Sequence, residues 1–155
     1  MKIQGEYSLP LEQQAAWDLL LDTDILSRAM PGCQSLVPIG PDEYEMKMNV
    51  AVSSISGAFA GKVRIADKNP ATSYRLLVEG QGKLGYVRGS GLLTLQGESS
   101  TTKVIFDGEV QISGLIASVG ERMLDMTTKM MIKRFFSALA KEAEAASQAG
   151  NRTGV

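Results

Sequence analysis

The chain has 155 residues, the length of one domain, with sixteen Lys or Arg, seventeen Asp or Glu, a formal net charge of −1, one cysteine and no histidine. The missing histidine excludes Ser-His-Asp and Cys-His catalytic sites, mixed Cys/His zinc sites and two-histidine iron sites. The near-neutral charge argues against nucleic acid as a partner, and a single cysteine allows no disulfide within the chain.

The first part of the chain is predicted to be a strand followed by two short helices. Residues 2–8 alternate apolar and polar side chains, which is the pattern of a half-buried strand. Pro10 suits the first turn of a helix, and apolar residues three or four apart continue that helix to about Asp22. A second helix over residues 25–30 ends where Pro31 and Gly32 stop it.

A long β region and one long helix follow. The alternating segments predict strands over residues 34–39, 44–50, 59–65, 74–78, 87–96 and 104–112, each with an apolar and a polar side. This pattern indicates an antiparallel sheet. A helix is predicted from residue 115 or 116 to residue 146, and it is the only element large enough to cover the apolar face of the sheet. The fold class is therefore α+β, with one domain over residues 1–146 and a flexible polar tail over residues 147–155.

Five short segments carry a resemblance to a known family. They are Met30-Pro31-Gly32-Cys33, residues 54–63, Tyr74-Arg75-Leu76, Gly89-Ser90-Gly91 and residues 115–120. Together with the element order, they resemble the CoxG family of carbon monoxide dehydrogenase subunits, within the START-like (SRPBCC) helix-grip superfamily. The resemblance implies a seven-stranded curved antiparallel sheet wrapped around the long C-terminal helix. Some members of the family have a C-terminal membrane anchor, and none is expected in this chain.

One end of the predicted sheet is the expected mouth of a cavity between sheet and helix. If all neighbouring strands are antiparallel, the loops near residues 30–34, 52–57, 80–86 and 113–117 share one end. These loops are rich in glycine and contain apolar residues, whereas the turns at the other end are polar. Exposed apolar loop residues indicate a contact site or a lip over an apolar pocket. The predicted mouth residues are Met30, Ile55, Leu84, Tyr86, Leu115 and Ile116.

Residues on the apolar side of the strands and on one stripe of the helix are the candidates for ligand contact. Methionine adapts its shape to irregular cores and to apolar pockets alike, and an inward tyrosine hydroxyl suits a ligand carbonyl or the rim of a core. The predicted ligand-binding residues are Tyr44, Met46, Met48, Phe59, Val63, Tyr74, Leu76, Val78, Phe106, Val119, Met123, Met126 and Met130. No inward carboxylate pair emerges, so no catalytic residue is predicted.

The segment Gly80–Gly85 matches the GxGxxG pattern of dinucleotide-binding loops. Such a loop must lead into a helix whose N-terminal amides meet the pyrophosphate. A strand is predicted after Gly85, so the pattern favours a tight hairpin with closely packed backbone.

Three function classes stay open. The first is a carrier that holds an apolar ligand, a quinone or a lipid, with no metal or covalently bound cofactor. The family resemblance implies that this carrier serves a molybdenum-containing dehydrogenase, in recruitment to the membrane or delivery of quinone. The second is an assembly or recruitment factor whose cavity is incidental, and the third is a cyclase or hydratase on the same fold. The sequence has no signal-peptide pattern, so we expect a cytoplasmic protein with at most peripheral contact at the inner face of the membrane.

Overall fold

The computed structural model describes the backbone of residues 1–153 and the side chains of residues 1–146, so the predicted tail, residues 147–155, lies outside the residues whose side chains are described. The described strands are β1 (Lys2–Leu9), β2 (Cys33–Gly40), β3 (Glu43–Val52), β4 (Ile55–Asn69), β5 (Ser73–Gly82), β6 (Gly85–Glu98) and β7 (Thr101–Ser113). The described α-helices are α1 (Gln13–Leu19), α2 (Thr23–Ala29) and α3 (Glu121–Thr153), and a short 3₁₀ helix spans Leu115–Val119.

The strands form one antiparallel sheet in the order β1-β7-β6-β5-β4-β3-β2. Residues opposite each other on neighbouring strands point to the same face. The register therefore brings the predicted inward residues together, with Met46 opposite Gly61 and Val63 opposite Val78. The predicted α+β helix-grip architecture, with two short helices after β1, is confirmed.

The sheet curves around α3. The backbone of α3 makes its closest approaches to the sheet at β1, which is one edge strand, and at β3, which lies next to the other edge. In a flat sheet these two strands would be about 24 Å apart, far more than the diameter of one helix. At 1.5 Å per residue α3 is about 50 Å long, so it reaches both strands by running obliquely across the concave face of the curved helix-grip sheet.

The long helix begins later than the sequence predicts. Residues 115–119 form the 3₁₀ helix, and Gly120 separates it from α3 with a φ of 96°. An α-helix cannot continue through a residue with positive φ, and glycine adopts that conformation without steric cost. Ile116 and Val119 therefore lie on the preceding turn and not on α3, and a stripe drawn through them does not continue along the helix.

The buried face of α3 differs from the predicted methionine stripe. Leu124, Phe136, Leu139 and Ala143 are buried, whereas the three methionines of that stripe are exposed. The prediction that Met123, Met126 and Met130 face the sheet is therefore wrong. The α3 sequence has two apolar stripes, and either could face the sheet. Burying the stripe with leucine and phenylalanine removes more apolar surface from water, and this stripe is the one that is buried. Along the described part of the chain, no helix combines the length and the apolar character needed to cross a membrane.

The interior has two separate apolar clusters. The main core joins α1, α2 and the C-terminal half of α3 to the sheet; its buried members are Leu9, Ala16, Trp17, Leu19, Leu20, Ala29, Ile65, Tyr74, Leu93, Leu95, Val104, Phe136, Leu139 and Ala143. The end cluster lies at the other end of the sheet, under the start of α3; its buried members are Val52, Phe59, Leu84, Ile116 and Leu124. The aromatic rings of Tyr7 and Phe136 stack in parallel with their centroids 4.2 Å apart, which ties α3 to β1.

A pair of alanine variants tests the observed rotation of α3. We expect Phe136→Ala to lower the free energy of unfolding by about 3–5 kcal/mol, because it leaves a cavity beside Tyr7. Met126→Ala should change it by no more than about 0.5 kcal/mol, because that side chain is exposed. Urea unfolding followed by circular dichroism measures both variants. Similar losses in the two would contradict the assignment of the buried face.

Candidate functional site

The middle of the concave face belongs to neither apolar cluster. It lies on five adjacent strands, and its members are Met46, Met48, Gly61, Val63, Val78, Gly80, Gly89 and Val110. Met48 and Gly80 are buried, and the other six stay partly accessible to solvent although α3 covers this face. These six residues are the candidates for ligand contact, and the space in front of them is the space that a ligand would need.

Gly80 marks this space most clearly. The residue is buried, yet a Cβ atom added to it would have no neighbour closer than the carbonyl oxygen of Ala60, at 3.8 Å. Gly61, directly opposite on β4, has no such room, because its Cβ would collide with the carbonyl oxygen of Glu79. Gly61 is thus required by the close approach of β4 and β5, whereas Gly80 leaves room for at least a methyl group.

The remaining predicted ligand residues on the sheet pack against the two clusters. Tyr44, Leu76 and Phe106 are partly buried against the main core. Phe59 is part of the end cluster, and Val119 packs against it from the 3₁₀ helix. Of the predicted ligand residues, only Met46, Met48, Val63 and Val78 therefore lie in the middle of the concave face.

Tyr74 is a residue of the main core. The sequence alone did not distinguish this position from one that contacts a ligand. Its hydroxyl donates a hydrogen bond to the carbonyl oxygen of Leu20 over 3.4 Å, and its ring packs edge-on against Trp17 with centroids 5.6 Å apart. Burial, together with the nearby Tyr44, raises the pKa of the Tyr74 hydroxyl well above its usual range. This hydroxyl is bonded within the main core and does not face the middle of the concave face.

The predicted mouth residues come together at one end, but most of them are not exposed. Leu84 and Ile116 are buried in the end cluster, and the N–H of Ile116 donates to the carbonyl oxygen of Leu84 over 2.7 Å. Ile55 packs against the same cluster. The expectation of an exposed apolar lip is wrong for Leu84 and Ile116, because these two side chains bury each other and close the end of the sheet.

The other three mouth residues lie outside this cluster. Leu115 is 58% exposed and Tyr86 is 37% exposed, so both present apolar surface to solvent next to the closed end. Met30 ends α2 and is half-buried. The sequence placed these loops at the same end correctly, but which side chains pack inward depended on the glycines at 114 and 120 that orient the 3₁₀ helix.

Sequence reasoning missed Gly80, Gly89 and Val110 as members of the candidate site. Val110 follows the inward alternation of its strand, and that signal was visible. Gly80 has no side chain to report a face, and only the pairing of Gly80 with Gly61 and Val87 shows that it points inward. A glycine can be assigned to a cavity wall only when the register of its strand is known.

The concave face is electrically neutral. In residues 43–113, all of which the structure describes, the inward positions of β3 to β7 carry no charged side chain up to the register shift after Ala66, and Asp67 beyond it pairs with Arg75 at 3.6 Å. Charged residues lie on the opposite face, as in the ion pair between Lys103 and Glu6 at 3.8 Å. Among the described residues, no group of three or more His, Cys, Asp or Glu is placed to hold a metal ion. The site can therefore offer shape, apolar surface and the hydroxyl of Tyr44.

Comparison with known proteins gives the family. The family model for the CoxG subunit of carbon monoxide dehydrogenase matches residues 5–144. The chain belongs to this family. The resemblance drawn from the sequence is thereby confirmed, and no match was found among curated proteins.

Solved structures share the architecture of this CoxG-family chain. A conserved protein from Geobacillus kaustophilus is 28% identical, with a TM-score of 0.90 over 94% of this chain and 97% of its own. A START superfamily protein from Mycobacterium smegmatis is 9% identical, with a TM-score of 0.72 over 94% and 98% of the two chains. The Zhui aromatase/cyclase from Streptomyces sp. R1128 is 13% identical, with a TM-score of 0.68 over 93% of each chain. At such low identities, the last two show the fold alone.

Two glycine-to-alanine variants test the space in front of Gly80. Gly80→Ala should raise the free energy of unfolding by roughly 0.4–1 kcal/mol, because the new methyl group fits and the unfolded chain loses freedom. Gly61→Ala should lower it by about 2 kcal/mol or more, because its Cβ meets the backbone of β5. Urea unfolding of the two variants gives both values. A clear loss of stability in Gly80→Ala would show that the space is filled.

Proposed function

We propose that this protein is a carrier that binds a neutral, apolar molecule, a quinone or a lipid, between the concave face of the sheet and α3. One observation supports this proposal above the others. Between the main core and the end cluster, six of the eight residues in the middle of the concave face stay partly accessible beneath a helix, and Gly80 has room for a methyl group. A core built only for stability would fill such a gap, because voids reduce stability.

The side chains around this space suit an apolar ligand without selecting a charged one. Met46 and Met48 have flexible thioether side chains that adjust to different shapes. Gly61 and Gly80 leave a stretch of wall without side chains, against which a flat ring system can lie. The absence of charged side chains from the middle of the concave face makes a charged headgroup unfavourable there, because an unpaired ion would lose its hydration.

Tyr44 is the proposed polar contact of the ligand. Its side chain is partly accessible and lies opposite Val63, in the row that continues to Val78. A phenolic hydroxyl donates a hydrogen bond to a carbonyl oxygen, which is the polar group of a quinone. A carbonyl group held in this way gains orientation, while the rest of the molecule contacts methionine and valine.

The end cluster is the proposed opening for the ligand. Leu84 lies in the turn between β5 and β6, Ile116 lies in the 3₁₀ helix, and one backbone hydrogen bond joins them, so we propose that the 3₁₀ helix moves to open this end. Leu115 and Tyr86 present apolar surface beside this point, and we propose that they touch the membrane surface from its cytoplasmic side. Such contact is peripheral, and it would bring the opening close to the pool of membrane quinones.

Membership of the CoxG family supports a partner as well as a ligand. We propose that the carrier recruits a molybdenum-containing dehydrogenase to the membrane or delivers quinone to it, and that the redox chemistry belongs to that enzyme. The middle of the concave face offers no acid or base beyond a tyrosine hydroxyl, which favours binding over cyclase chemistry. An assembly factor with an incidental cavity is the competing function, and ligand analysis separates the two.

The carrier proposal is tested first with the native ligand and then with a probe. Mass spectrometry of an organic extract of the purified protein should reveal a quinone or lipid, and delipidated protein should bind decylubiquinone in a fluorescence titration. Gly80→Val should weaken that binding about tenfold or more, because overpacking a filled site costs about 1–3 kcal/mol. Ala60→Val is the control, because it adds the same bulk to the exposed side of the neighbouring strand. Absence of both a bound molecule and probe binding would favour the assembly function.

Two tyrosine variants separate ligand contact from core structure. Tyr44→Phe should weaken decylubiquinone binding by roughly 2- to 12-fold, which corresponds to the loss of one hydrogen bond. Tyr74→Phe should leave binding unchanged and lower the free energy of unfolding by about 1 kcal/mol, because only its bond to Leu20 is lost. Titration and urea unfolding of both proteins supply the two quantities. The reverse assignment of effects would place the polar contact at Tyr74.

A further inference from the structure

The exposed side of α3 has an unusual composition for a helix surface. Met123, Met126 and Met130 are 38%, 60% and 43% exposed, and their spacing of three and four residues aligns them on one side of the helix. Surface helices normally present polar residues there. Neighbouring exposed methionines are typical of surfaces that bind other molecules.

The same side of α3 continues as a basic surface toward the C-terminus. Lys133, Arg134 and Lys141 surround the small residues Ser137 and Ala138, and with Met130 they border a concavity of about 470 Å³. No ion pair among the described residues neutralises any of these three cations. We call the surface formed by Met123, Met126, Met130, Lys133, Arg134 and Lys141 the methionine–lysine face.

We propose that the methionine–lysine face docks a partner protein whose contact surface combines an apolar patch with adjoining carboxylates. The methionines would contact the apolar patch of the partner, and the three cations would pair with its carboxylates. The shallow concavity over Ser137 and Ala138 accepts a protruding side chain, as the small residues of one helix accept a side chain of another. This inference goes beyond the carrier proposal, because it concerns the outside of α3 and is independent of any ligand.

Charge argues against a second copy of this chain as the occupant. The sequence contains no acidic residue between Asp125 and Glu142. Asp125 itself is paired with Lys129 at 2.9 Å. A two-fold contact centred on Ser137 would bring Lys133 of one copy close to Lys141 of the other, which is unfavourable, because the nearest exposed carboxylate, Glu144, lies beyond Lys141.

Composition argues against a lipid bilayer as the occupant. Helices that lie in a membrane surface insert tryptophan, phenylalanine or leucine and surround them with cations. The methionine–lysine face has none of these three residue types. Its cations and Met130 border a shallow concavity over Ser137 and Ala138, which fits a protruding protein side chain better than lipid headgroups.

The test begins with a photo-crosslinking residue, p-benzoylphenylalanine, placed at Met126 in the cells that naturally make the protein. The same residue at Leu92, which is 37% exposed on the opposite side of the sheet, is the control. We expect position 126 and not position 92 to link to a protein, with Asp or Glu beside apolar residues at the linked segment. Links only to lipid, only to another copy of this chain, or to no protein would overturn the proposal.

A charge-reversal pair tests the chemistry with the purified, cross-linked partner. The double variant Lys133→Glu/Arg134→Glu should raise the Kd about tenfold or more, because it opposes the carboxylates of the partner. Lys62→Glu/Arg64→Glu makes the same change in net charge on β4, away from α3, and should alter the Kd by less than about twofold. Equal effects of the two double variants on the Kd would overturn the proposal. It would also be overturned if the wild type bound phosphatidylserine vesicles and only Lys133→Glu/Arg134→Glu lost that binding.

Thermal unfolding of the variants tests whether a loss of docking is caused by a loss of folding. Both double variants change exposed residues, so their melting temperatures should stay close to that of the wild type. Gly80→Val, which fills the proposed ligand space, should dock with unchanged Kd. A failure of docking therefore leaves the carrier proposal untouched, and a failure of ligand binding leaves this inference untouched.

Discussion

The curvature of the sheet around α3 is the constraint on which the rest of this structure depends. A single helix reaches β1 near one edge and β3 near the other, and the strands between them bend away from it. Apolar side chains at the two ends fill the gap and form the main core and the end cluster. In the middle, glycines and modest side chains stand between the two clusters, and Gly80 has room for a methyl group. The ligand site that we propose lies at this part of the wide sheet.

The orientation of α3 gives the molecule two functional surfaces in place of one. Positive φ at Gly120 ends the 3₁₀ helix and resets the helical register at Glu121. The stacking of Phe136 on Tyr7 then holds the leucine and phenylalanine side inward. The methionines, displaced from the core, stand in solvent beside the cations of the methionine–lysine face. The inner side of the helix accordingly covers the proposed ligand site, and the outer side carries the proposed docking surface.

The chemistry of the interior is the ground on which we propose binding and not catalysis for this family member. The chain lacks histidine, and the middle of the concave face holds no carboxylate or amine. The Tyr74 hydroxyl is bonded to Leu20, and burial raises its pKa. Without a group that moves a proton near neutral pH, such an interior is suited to holding a molecule unchanged.

The sequence by itself determined the element order, the antiparallel sheet and the inward side of each strand, because strand alternation is a local property with a period of two residues. It also carried the family motifs and excluded histidine chemistry. Tertiary structure alone decided which apolar stripe of α3 is buried, because two stripes were available and only the fit against Tyr7 and the main core distinguishes them. It likewise decided that Leu84 and Ile116 close the end of the sheet and that Gly80 has room for a methyl group. Those outcomes depend on contacts between residues far apart in the chain, which no local pattern encodes.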